Sequence, residues 1–190
     1  MRFTFPQALL CLLMAVVVIA PPALVFAERA EINRVVIEKG GRELEVSFRL
    51  EDCFTSKMEE ALHNGLPVTF RILIAIEKSS VMLVKSQVVD FTLKHTIRYD
   101  RLNNEYQVQL QEEHDRIRVS EDFNEAKRWM STVEKLPIIN TCWLHKGQEY
   151  QLKLKAELSK VELPVFLRYI LFWVSLWDFE TDWQKVTFSM

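Results

Sequence analysis

Glu43-Leu-Glu-Val-Ser-Phe-Arg-Leu-Glu51 is the stretch on which the fold class turns. Leu44, Val46, Phe48 and Leu50 recur at every second position between polar residues, the period of an extended strand with one buried and one wet face. Just upstream, Ile32 to Glu38 reads as another strand, and Gly40-Gly41 supplies the positive φ angles of a tight turn, so the two make an antiparallel hairpin. Downstream, Val68, Phe70, Ile72, Ile74 and Ile76 mark a third strand whose other face is also partly apolar, which places it centrally. Val89, Phe91, Leu93, Ile97 and Tyr99 mark a fourth, linked through Asp100-Arg-Leu-Asn-Asn104 to a fifth carrying Tyr106, Val108 and Leu110. A short strand from Arg116 to Val119, the alternation Tyr150, Leu152, Leu154, Ala156, Leu158, and a terminal strand from Trp183 to Phe188 bring the number to about eight.

Two helices interrupt the strands. One begins at Ser56, with Glu59 completing a capping box, carries Phe54, Met58, Ala61 and Leu62 on one stripe, and stops at Gly65. The other starts after Ser120, with Glu121 and Asp122 at the positive end of its dipole and Phe123, Ala126, Met130 and Val133 on one face, and stops before Pro137. This pattern predicts a mainly β protein, an antiparallel sandwich-like arrangement with two or three short helices, the alternative being an α+β fold with helices on one face of an antiparallel sheet. No linker or repeat divides the chain, so residues 28–190 are expected to form a single β-rich extracytoplasmic domain.

Composition narrows the function. Of 190 residues, 49% are apolar and 26% charged, enough for one core, and a net charge of −2 gives no reason to expect binding to nucleic acid. Residues 1–27 read as a signal peptide: Arg2, the apolar run Ala8 to Ala20, Pro21-Pro22, and Val25 and Ala27 at the positions a signal peptidase requires. Cleavage is expected after Ala27, giving a periplasmic or secreted product; an uncleaved inner-membrane anchor is the alternative, and membrane association follows only in that case. In such an oxidising compartment Cys53 and Cys142 can form a disulfide, worth on the order of 4 kcal/mol on loop entropy. Two separately buried thiols fit the sequence as well.

No phosphate loop, nucleophile elbow, His-Glu-x-x-His or Cys-x-x-Cys occurs, so no cofactor, metal or catalytic set is assigned. His95 is in phase with the apolar face of its strand and reads as a core or edge histidine. Glu112-Glu113-His114-Asp115 reads as a solvated turn. Cys142 with His145 is the one pairing that admits thiol chemistry, since an imidazole can activate a cysteine. Val165 to Trp177 is apolar almost throughout; it reads as an element laid across the core, or as a docking surface in which Trp173 and Trp177 meet a partner. Trp143 and Trp183 extend that aromatic set.

Several segments resemble one family. Phe54-Thr-Ser-Lys-Met-Glu-Glu-Ala-Leu-His-Asn-Gly-Leu-Pro67, the hairpin Ile97 to Val108, the helix after Ser120 and the ending Thr181 to Phe188 are similar to the exported proteobacterial domain-of-unknown-function family numbered 4390. The resemblance covers nearly all of the mature chain. It implies a Gram-negative envelope protein and, as partner, an envelope protein such as a membrane sensor kinase; it brings no catalytic residues. The function expected is a non-enzymatic binding or accessory module, with a thiol-dependent enzyme or a structural subunit of an envelope assembly as alternatives.

Overall fold

A computed structural model describes residues 30–78, 86–114, 116–159 and 179–190. Strands β1 (Glu31–Gly40), β2 (Glu43–Glu51) and β7 (Thr132–Asn140) form one sheet in the order β1-β2-β7. Strands β3 (Val68–Lys78), β4 (Ser86–Asp100), β5 (Glu105–Leu110), β6 (Ile117–Ser120), β8 (Glu149–Leu158) and β9 (Gln184–Ser189) form a second in the order β6-β5-β4-β3-β8-β9. All these pairings are antiparallel, and helices α1 (Ser56–His63) and α2 (Phe123–Ser131) complete the mainly β architecture.

The alternation read from the sequence is what packs the sheets. Leu44, Val46, Phe48 and Leu50 of β2 and Phe70, Ile72, Ile74 and Ile76 of β3 belong to one continuous core drawn from both sheets. Each such side chain fully buried contributes about 1.5–3 kcal/mol relative to exposure. Register sets the core in rows: Leu110, His95, Phe70 and Leu158 are successive partners across β5, β4, β3 and β8. β3, flanked by β4 and β8, is central, as its two apolar faces predict. Beyond β8 the chain leaves at Ser159 and returns at Phe179 to nearly the same place, because the Leu158 amide donates to Phe179 O at 2.9 Å. Thr181, 3% exposed, then exchanges two hydrogen bonds with the Ala156 backbone at 2.8 and 3.0 Å, pinning the approach to β9.

Three local expectations are corrected. In the first hairpin Gly40 lies within β1 and only Gly41 takes a positive φ, +70°, because the turn sits one residue later, at Gly41-Arg42. Helix α1 is capped by Thr55, whose hydroxyl accepts from the Met58 amide, rather than by Ser56. Helix α2, capped by the Asp122 carboxylate on the Asn124 amide, ends at Ser131, and the chain continues as β7, a strand the sequence reading missed. Val133 falls in step with the apolar face of the helix, and Pro137 reads as a stop. Yet β7 is a sheet edge, where a proline costs no ladder bond, and its two register shifts against β2 break the period that would have revealed it.

Candidate functional site

β6, α2 and β7 follow one another in the chain and belong in turn to the edge of one sheet, a bridging helix and the edge of the other. An open cleft of about 380 Å³ lies at this corner. Its walls come from Arg49 of β2, Arg128 and Trp129 of α2, and Thr132 and Glu134 of β7. Glu112 and Glu113, which follow β5, and Arg118 of β6 complete the lining. Pairing of Arg49 with Thr132 in the sheet brings residues far apart in sequence to this place.

Most of the charge here is already matched. The Arg118 guanidinium donates from both Nε, at 3.0 Å, and an Nη to the Glu113 carboxylate, a bidentate pair, and lies over the Trp129 ring with Cζ 5.5 Å from its centroid. The hydrogen bond to Glu113 holds the Arg118 guanidinium above its ordinary pKa against the opposing effect of burial, with the charges of Glu113, Glu112 and Glu134 adding to it. Glu112 reaches inward to His95, which is wholly buried. Burial pushes the Glu112 carboxyl up, but the hydrogen bond and charge of His95, with smaller help from its own backbone amide and Arg118, outweigh it and leave the group below its ordinary value. Arg49 and Arg128 differ: among the described residues neither guanidinium has a hydrogen-bond or ion-pair partner.

His95 is thus the satisfied core histidine its phase predicts, with Nδ1 2.8 Å from Met130 O. Glu112 and Glu113 are not a free solvated turn, since each is engaged as described; His114 is exposed and Asp115 lies outside the described residues. Among the described residues no group of three or more His, Cys, Asp or Glu is arranged to hold a metal ion.

Of the two readings the sequence left open for Cys53 and Cys142, the disulfide is not formed; both are free thiols, one buried and one exposed. Register explains it. Thr141 donates its amide and hydroxyl to Arg42 O at 2.8 and 3.1 Å, so Cys142 sits at the start of β2, whereas Cys53 follows its end. Nine residues of strand separate them, about 30 Å at roughly 3.4 Å per residue, against the roughly 4.4–6.8 Å between Cα atoms that a disulfide allows. Burial pushes the Cys53 thiol up to about 12, and its sulfur lies 3.9 Å from Leu50 O, so it is an inert core group. At Cys142 the backbone amide donates to Asn140 Oδ1, and the His145 amide donates to the Tyr150 hydroxyl. Among the described residues no hydrogen bond joins Cys142 to His145, so the nucleophile–base contact of thiol catalysis is not made in this structure.

Of the aromatic candidates, Trp143 is 71% exposed and Trp183 43%, while Trp173 and Trp177 lie outside the described residues, as do residues 1–27. Among the described residues no helix is long and apolar enough to cross a membrane. The residues the sequence reading missed, Arg49, Arg128 and Trp129, lie on two elements far apart in sequence that the unrecognised strand β7 links, by following α2 and pairing with β2; placing β7 would have been the signal.

No curated protein and no solved structure matches the chain. A family model described as a domain of unknown function, DUF4390, matches residues 27–187, and the chain belongs to that family.

Proposed function

We propose that the protein is exported, is cleaved after Ala27, and acts in the periplasm of a Gram-negative cell as a non-enzymatic binding or accessory module for an envelope protein, a membrane sensor kinase being the partner its family resemblance implies. The observation that carries this reading is the cleft. Arg118 is paired with Glu113 and Glu112 with His95, while Arg49 and Arg128 line the same cleft without partners among the described residues. Two guanidiniums beside a half-buried indole, held by two sheets and a helix, form a preorganised recognition surface.

The test is cross-linking in the native envelope, recovery through a C-terminal tag, and mass identification of what is attached, with the intact mass read from the same sample. The expected result is a reproducible membrane-protein partner and a chain lacking residues 1–27. A lone chain with no partner overturns the accessory role, and a mass that retains the leader overturns the cleavage.

A further inference from the structure

Charge at the corner is unevenly spent. Glu113 is taken by Arg118 and Glu112 by His95, which leaves Arg49 and Arg128 against Glu134, whose charge already acts on Arg118. Neither Arg49 nor Arg128 has a hydrogen-bond or ion-pair partner among the described residues. A carboxylate fits a guanidinium bidentately, and beside three glutamates a single negative charge is repelled less than a phosphate dianion.

The second observation is the strand that forms one wall. β6 pairs with β5 on one side only; its other edge carries no strand among the described residues. The edges of β1 and β7 are guarded, whereas β9, the far edge of the larger sheet, has neither proline nor register shift but contributes nothing to the lining of the cleft. β1 has a register shift between Asn33 and Val36 with Arg34 at φ +56°, and β7 has Pro137, two register shifts and Lys135 at φ +48°. β6 has no proline and no register shift, and it exposes Ile117 at 56% and Val119 at 48% on either side of Arg118. Unpaired amides, two apolar side chains and access to the cleft therefore lie on four consecutive residues, the requirements for adding a strand.

We infer that the cleft receives an acidic side chain from an extended segment of a protein partner, which pairs along the edge of β6 that no described strand covers while its carboxylate reaches Arg49 and Arg128. This rests on the binding-module reading and names the chemistry of its partner. The side chains that flank the carboxylate on the partner strand meet Ile117 and Val119, and the specificity is for a strand of alternating acidic and apolar residues.

The probe is a fluorescein-labelled eight-residue peptide of alternating valine and glutamate, acetylated and amidated, titrated by anisotropy into the full-length chain in mild detergent. Loss of a charge-assisted bond predicts at least about tenfold weaker binding for R49Q/R128Q. The glutamine version of the peptide should be weakened equally on the unmodified chain, and combining the two changes should cost no more than either alone. Methylating alternate peptide amides should abolish binding if they face β6. Unchanged thermal melting of R49Q/R128Q shows that the loss is not one of folding; R49K/R128K, which keeps the charge, should recover part of the affinity. Equal binding of the glutamine peptide, or indifference to both registers of amide methylation, overturns the inference. So does tighter, arginine-dependent binding of an acid-free peptide with a free C-terminus, or displacement of the probe by phosphate more readily than by acetate at equal ionic strength. In the envelope cross-linking experiment, R49Q/R128Q capturing the same protein as the unmodified chain leaves the binding-module reading standing and sinks this one. Arginine-dependent peptide binding with no captured partner does the reverse.

Discussion

Nε2 of His95 lies 3.0 and 3.2 Å from the two carboxylate oxygens of Glu112, while its Nδ1 lies 2.8 Å from Met130 O. A carbonyl only accepts, so Nδ1 carries a hydrogen, and the contact on the other side is a hydrogen bond only when a second proton lies between imidazole and carboxylate. The ring therefore ties β4 to the last turn of α2 and to the residues that follow β5, directly beneath the cleft.

Removing the carboxylate should expose this tie. Glu112→Ala leaves a buried imidazole nitrogen without its partner and is expected to cost about 1–3 kcal/mol in urea unfolding at neutral pH. Glu112→Gln should cost less, because a carboxamide can donate to Nε2. Equal stability of Glu112→Ala and the unmodified chain would show that the contact is not holding the corner.

The same pair sets an acid limit. Glu112 titrates below its ordinary carboxylate value in the folded chain, so its contribution to stability is complete above about pH 4.5 and is lost as pH falls through the lower folded value. Unfolding free energy followed from pH 6 down to pH 3 should decline in the unmodified chain and decline less in Glu112→Gln. Parallel curves for the two would remove Glu112 as a cause.

The thiols predict a labelling pattern. Iodoacetamide at pH 8 should modify Cys142 in the folded chain and leave Cys53, whose thiol burial pushes up to about 12, untouched until urea is added. Peptide mapping reads both sites at once. An oxidised Cys53–Cys142 peptide would contradict the register of β2 and β7.

Residues 160–178 can be cut out on paper without disturbing the ladder, since Leu158 already bonds to Phe179 and Thr181 to Ala156. Replacing them by a short Asn-Gly turn should leave the melting midpoint within a few degrees of the original. If the fold survives but partner capture fails, Trp173 and Trp177 belong to docking; collapse of the fold would place them in the core. Changing both to Ser separates the two roles within the intact chain.

How far the sequence discloses this molecule follows from where each signal lies. A period of two is local, so β2, β3, β4 and β8 could be read from Leu44 to Leu50, Val68 to Ile76, Val89 to Tyr99 and Tyr150 to Leu158. β7 could not, because bulges and Pro137 are affordable only at an edge, and nothing local says which strand is an edge. The cleft is harder still. Arg49, Glu112 and Arg128 acquire a common address only through pairing across the whole chain, and a charged residue on a wet strand face looks the same whether or not it has a neighbour. His95 was legible as a buried group from its phase, but its partners Met130 and Glu112 were not.

The hydrogen bond from the Thr141 hydroxyl to Arg42 O spans 99 residues, and β7 is the only strand that closes that side of β2 among the described residues. A chain that emerges N-terminus first therefore presents the β1–β2 hairpin long before its third strand exists. Through the synthesis of β3 to β6 the hairpin keeps the β7 side of β2 unpaired, an open edge. Completion of the smaller sheet is therefore a late event fixed by chain order.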